Sequence, residues 1–72
     1  MAAREYQVVV DGELSDETAR AFGGMTLERS DGNTILVGRM RDQAELQGLL
    51  TRITDLGLTL LSATSIDERA GV

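Results

Sequence analysis

A chain of 72 residues has room for one small domain, near the size at which a single core is barely sufficient. It is 42% hydrophobic and 26% charged, a globular rather than a disordered balance, and its only aromatics are Tyr6 and Phe22, so the core is expected to be aliphatic. With no Cys, no His and no Lys, the chain excludes disulfide staples, thiolate and imidazole metal sites, and Ser-His, Cys-His or Ser-Lys nucleophilic catalysis, while a net charge of −5 argues against polyanionic partners such as nucleic acid.

The first element in chain order is "REYQVVV", Arg4 to Val10, a β-branched run that ends at the turn pair Asp11-Gly12. The opening "MAAREYQVVV" has too short an apolar run for a signal peptide. No segment is long enough to span a bilayer, so a cytoplasmic protein with no membrane partner is expected. All seven basic residues are Arg, a skew expected of a GC-rich genome.

"SDETARAFGG" opens with Ser15 as an N-cap and carries Asp16 and Glu17 in its first turn, where acidic groups suit the helix dipole. Gly23-Gly24 is expected to end this short helix. "MTLERSDGNTILVGR" reads as a hairpin, because Asp31-Gly32 between two strand-like runs suits a type I′ turn.

The second helix is the clearest element. Asp42 and Glu45 form a capping-box-like pair, and Leu46, Leu49, Leu50, Ile53 and Leu56 make one helical stripe. Gly57 should be the left-handed residue C′ of a Schellman ending, with Ile53 at C3 and Leu58 at C″ as its hydrophobic pair. "LTLLSATSI" then resumes as a strand. Residues 1–66 are expected to form the domain and 67–72 a flexible tail.

Strand, helix, strand, strand, helix, strand is the order of a ferredoxin-like α+β sandwich, with a four-stranded antiparallel sheet (order 4-1-3-2) and both helices on one face. Alternation assigns the strand faces. Tyr6, Val8, Val10, Met25, Leu27, Ile35, Val37, Leu58 and Leu60 form the more apolar set and are expected beneath the helices. That leaves Val9, Leu36 and Leu61 as an apolar patch on the open face. Scattered surface aliphatics are ordinary, whereas a contiguous patch marks an interaction surface. On the second reading the chain is a homodimer through its open sheet face.

Two clusters are candidates for chemistry. Asp11, Glu13, Asp16 and Glu17 gather around the first loop, either as oxygen ligands for a divalent cation or as a solvated helix start; their spacing is not that of an EF-hand. Arg39 and Arg41 precede the second helix, either as an anion clamp or as members of surface ion pairs. No phosphate-binding glycine loop is present. Gly48, inside the second helix, costs about 1 kcal/mol relative to Ala and either permits a close backbone approach or is simply tolerated.

The segment "DQAELQGLLTRITDLGLTLLSATSI" (Asp42 to Ile66), with "VVVDGELS" and "SDGNTILVGRM", resembles small uncharacterised ferredoxin-like proteins of actinobacteria. "LLTRITDLGLTLLSATS" also resembles the helix-strand half of an ACT regulatory domain. That second resemblance implies a metabolite bound between subunits, near Asp11 and Gly12.

Three functions follow as expectations. The first is a non-catalytic, dimeric interaction or regulatory module without a cofactor, with a second copy or another protein as partner. The second is an ACT-like small-molecule sensor, for which Asp11, Gly12, Arg39 and Arg41 are the ligand candidates. The third is a minimal enzyme built on carboxylates.

Overall fold

The computed structural model describes residues 4–66; the expected tail, 67–72, lies outside the described residues. Strand β1 (Arg4–Asp11) leads to a short helix α1 (Asp16–Ala19), which tightens into a 3₁₀ turn over Arg20–Phe22. Strands β2 (Thr26–Ser30) and β3 (Asn33–Met40) form the hairpin, followed by helix α2 (Gln43–Asp55) and strand β4 (Leu60–Ser65). The four strands make one antiparallel sheet in the order β2-β3-β1-β4, an α+β fold.

The local signals act as their chemistry demands. Ser15 caps α1, its side chain accepting from the Thr18 N–H at 3.2 Å. Asp42 caps α2 and accepts from the Glu45 N–H at 3.0 Å. Glu45 reaches back one residue beyond the usual capping box, to the Arg41 N–H at 2.6 Å. At the other end the Gly57 N–H donates to Thr54 at 3.0 Å and the Leu58 N–H to Ile53 at 3.1 Å, with Gly57 at φ 77°. This is the Schellman pattern, and it joins buried Ile53 to half-buried Leu58. Gly23 and Gly24 divide their labour: Gly24 alone carries a positive φ, 90°, while Gly23 sits in an extended conformation.

The core consists of Val8, Val10, Leu14, Phe22, Leu36, Met40, Leu49 and Ile53. Leu36 therefore belongs beneath the helices, and the expectation that it lies on the open face is wrong. The two-residue turn decides this. Asp31 and Gly32 both have positive φ, 53° and 82°, and the hairpin closes with Ser30 opposite Asn33. Leu27 then falls opposite Leu36, and Glu28 opposite Ile35. Residues directly opposite share a face, so Thr34, Leu36, Gly38 and Met40 point into the core while Ile35 and Val37 turn outward, half-buried.

Strand β4 departs from simple alternation. Val9 pairs with Ser62 but Val10 with Leu60, so Leu61 is the extra residue of a bulge. Beyond the bulge, Ala63 stands opposite core residue Val8, on the covered side, and Ser62 and Thr64 take the open side. All six residues of β4 are nevertheless exposed.

Candidate functional site

The acidic first loop is held by backbone and side-chain hydrogen bonds. Thr34, fully buried on β3, donates its hydroxyl to the Gly12 carbonyl at 2.8 Å and accepts from the Leu14 N–H at 3.0 Å. The Gly12 N–H donates to Gly32 at 2.8 Å, and the Asp11 N–H to Thr59 at 2.9 Å. Gly12 has φ 90°, a conformation that favours glycine. Its two backbone groups are thus engaged within the protein, and its role is to turn the chain out of β1.

The carboxylates of the loop are partly spent in the same way. Glu13 accepts from the Gly32 N–H at 3.1 Å, and Asp16 pairs with Arg29 at 3.0 Å. Arg29 also donates its Nε to the Leu14 carbonyl at 2.7 Å, so loop, helix start and edge strand β2 are tied together. Among the described residues no group of three or more Asp, Glu, His or Cys is arranged to hold a metal ion.

Arg39 and Arg41 go separate ways. Arg41 pairs with Glu45, four residues on, at 3.1 Å. Arg39, opposite Glu5 on β1, lines instead a cleft of about 400 Å³ between the Gly23-Gly24 turn and the first half of α2. Arg52 and Gly48 stand on the helix side of this cleft. Arg52 is anchored there by donating to the Ala21 carbonyl at 2.9 Å. The approach of α2 to residue 21 is a tertiary contact that no local sequence signal announces. The exposed Gly48 was the legible sign, since its missing side chain helps leave the cleft open: a Cβ there meets nothing within 4 Å.

The open sheet face carries Val9 directly opposite Ile35, with Val37 two residues along β3. Thr26 and Glu28 border them on β2, Gln7 lies beside them on β1, and Ser62 and Thr64 border them on β4. Val9 keeps its predicted place in this strip. Ile35 and Val37 take the place expected of Leu36, and the turn register described above is the signal that identifies them. Leu61 sits at the bulge, 50% exposed, with Leu60 at 42% and Leu56 at 44% close by in sequence. These are the three large hydrophobics left exposed among the described residues.

The molecule is thus a small α+β domain with one antiparallel sheet, a cleft beside α2 and uncovered apolar surface on the sheet. No described helix is long and apolar enough to cross a membrane. The profile of a family described as "Domain of unknown function (DUF8691)" matches residues 5–64, and the chain belongs to that family. No curated protein and no solved structure matches it.

Proposed function

We propose that this chain is a non-catalytic interaction or regulatory module that works as a homodimer on a ferredoxin-like scaffold. The scaffold reading rests on the sheet order, which is 4-1-3-2 when counted from the β4 edge, and on the alternation of strands and helices. The observation that carries the dimer is the exposure of Leu56, Leu60 and Leu61, all within six residues, on a domain whose core has eight members. A core of that size gains much from covering further apolar surface. Two uncovered surfaces suit such a contact: the Val9, Ile35 and Val37 strip and the outer edge of β4. Sedimentation velocity over a dilution series tests the proposal. The expected result is a concentration-dependent dimer; a chain that stays monomeric at several hundred micromolar refutes it.

A second reading, a small-molecule sensor, draws on the cleft beside α2, where the Arg52 guanidinium favours an anionic metabolite. A thermal-shift screen separates the readings, because a ligand that binds the native state raises the melting temperature. Stabilisation by a carboxylate or phosphate compound that disappears in Arg52→Gln supports the sensor.

A further inference from the structure

We infer that the outer edge of β4 is where two copies of this chain join, strand against antiparallel strand, to make one eight-stranded sheet. The inference rests on the homodimer reading and goes further by naming the contact.

The two sheet edges are built differently. At the β2 edge, a strand of five residues carries Glu28 and Arg29, and such charges discourage pairing with another strand. At the β4 edge, β1 lies on one side and no described strand on the other. The residues from Leu56 to Ile66 form the longest uncharged run in the chain, eleven residues without proline in a protein that is 26% charged. An exposed strand with unpaired backbone groups and no charge or proline is a template for strand addition.

The alternation of hydrogen bonds shows which groups are on offer. Ile66 donates to the Glu5 carbonyl at 2.8 Å, so Thr64 and Ser62, at two-residue steps, face β1 in the same manner. Ala63 and Ser65 therefore turn their N–H and C=O groups outward. Arg52 binds Ala21 on one flank of α2, which packs against both β3 and β4, and the opposite flank is uncharged, with Gln43, Gln47, Leu50 and Thr54.

The charge pattern selects a second copy as the occupant. In a two-fold contact the same patch meets itself, so any charge near the axis faces its own like. A neutral stretch avoids that repulsion in a chain of net charge −5, and this edge supplies one. Strand pairing also brings a second surface over Leu60 and Leu61, the two exposed leucines that lie in β4 itself.

The test compares the full-length chain with Ala63→Pro and Val37→Glu by sedimentation velocity, with circular dichroism as the check on folding. Proline at residue 63 removes an outward N–H and no bond to β1. The expected results are a species of twice the 7.8 kDa chain mass for the parent and for Val37→Glu, and a monomer for Ala63→Pro. A dimer that survives Ala63→Pro but is lost in Val37→Glu places the contact on the open face and overturns the inference, while the homodimer stands. A parent that is monomeric throughout overturns both. Should Ala63→Pro fail to fold, hydrogen exchange on the parent decides: the Ala63 and Ser65 amides are expected to be protected in the dimer and to lose protection on dilution. Protection that is absent in the dimer, or unchanged by dilution, overturns the inference.

Discussion

Thr34 and Leu14, twenty residues apart in the chain, are joined by a buried hydrogen bond of 3.0 Å from the Leu14 N–H to the Thr34 hydroxyl. The same hydroxyl donates to the Gly12 carbonyl, so one side chain satisfies two backbone groups of the loop that leads out of β1. Thr34→Val keeps the shape but leaves both groups without this partner. The expected loss is about 1–3 kcal/mol, the usual cost of orphaned buried groups, and Thr34→Ser should recover most of it. Urea denaturation of the three proteins measures both effects.

Gly38 lies under Met25. A Cβ at residue 38 would stand 2.9 Å from the Met25 Cγ and 3.1 Å from its terminal methyl, closer than side chains approach one another. Gly38→Ala should therefore destabilise the sheet by roughly 1–3 kcal/mol through overpacking. A double-mutant cycle with Met25→Ala isolates the clash. The glycine substitution is expected to cost clearly less once the methionine is gone.

Gly57 holds α2 to β4 through its left-handed turn at φ 77°. Alanine there strains the backbone by about 1 kcal/mol. For a domain of this size that amounts to a fall in Tm of roughly 4–8 °C. Gly57→Asn, which enters this region more readily, should fall less, and thermal denaturation ranks the two.

Gly48 predicts the opposite sign. It lies exposed in the interior of α2, its φ is not positive, and a Cβ meets nothing within 4 Å. Gly48→Ala should raise stability by about 0.5–1 kcal/mol through helix propensity. Under the sensor reading the added methyl also narrows the cleft, so loss of a thermal-shift response alongside higher intrinsic stability would tie the cleft to ligand binding.

The open face makes a further prediction. Ile35→Thr replaces a half-buried outward side chain, whereas Leu36→Ala, one residue on, empties a fully buried place in the core. The second should cost about 2–5 kcal/mol and the first far less. Equal costs measured by denaturation would contradict the assigned faces of β3.

Legibility differed between elements for physical reasons. Both helix starts and the Schellman ending were readable, because a cap joins residues three to five apart and needs no distant partner. The order of the elements was readable from turn residues and periodicity. The faces of β3 were misread because "ILV" is apolar on both sides, and hydrophobicity alone cannot choose between its two registers. The turn could have chosen, since a two-residue Asp31-Gly32 connection places Leu27 against Leu36. The bulge at Leu61 carried no comparable signal. Arg39 and Arg41 look like a pair by proximity in sequence, but Glu45 claims Arg41 and Arg39 stands opposite Glu5 on β1.

By itself the sequence determined the caps, the hairpin turn and a core that is aliphatic apart from Phe22 and the adjoining Tyr6. Those properties depend on residue identity and on neighbours a few positions away. The tertiary structure alone decided that Thr34 would lock the Gly12–Leu14 loop, that Arg52 would meet Ala21, and that Leu56, Leu60 and Leu61 would remain uncovered. The first depends on the pairing of β1 with β3 and the others on how far α2 extends over the sheet and which strand becomes its edge, outcomes that arise only when the whole chain packs at once.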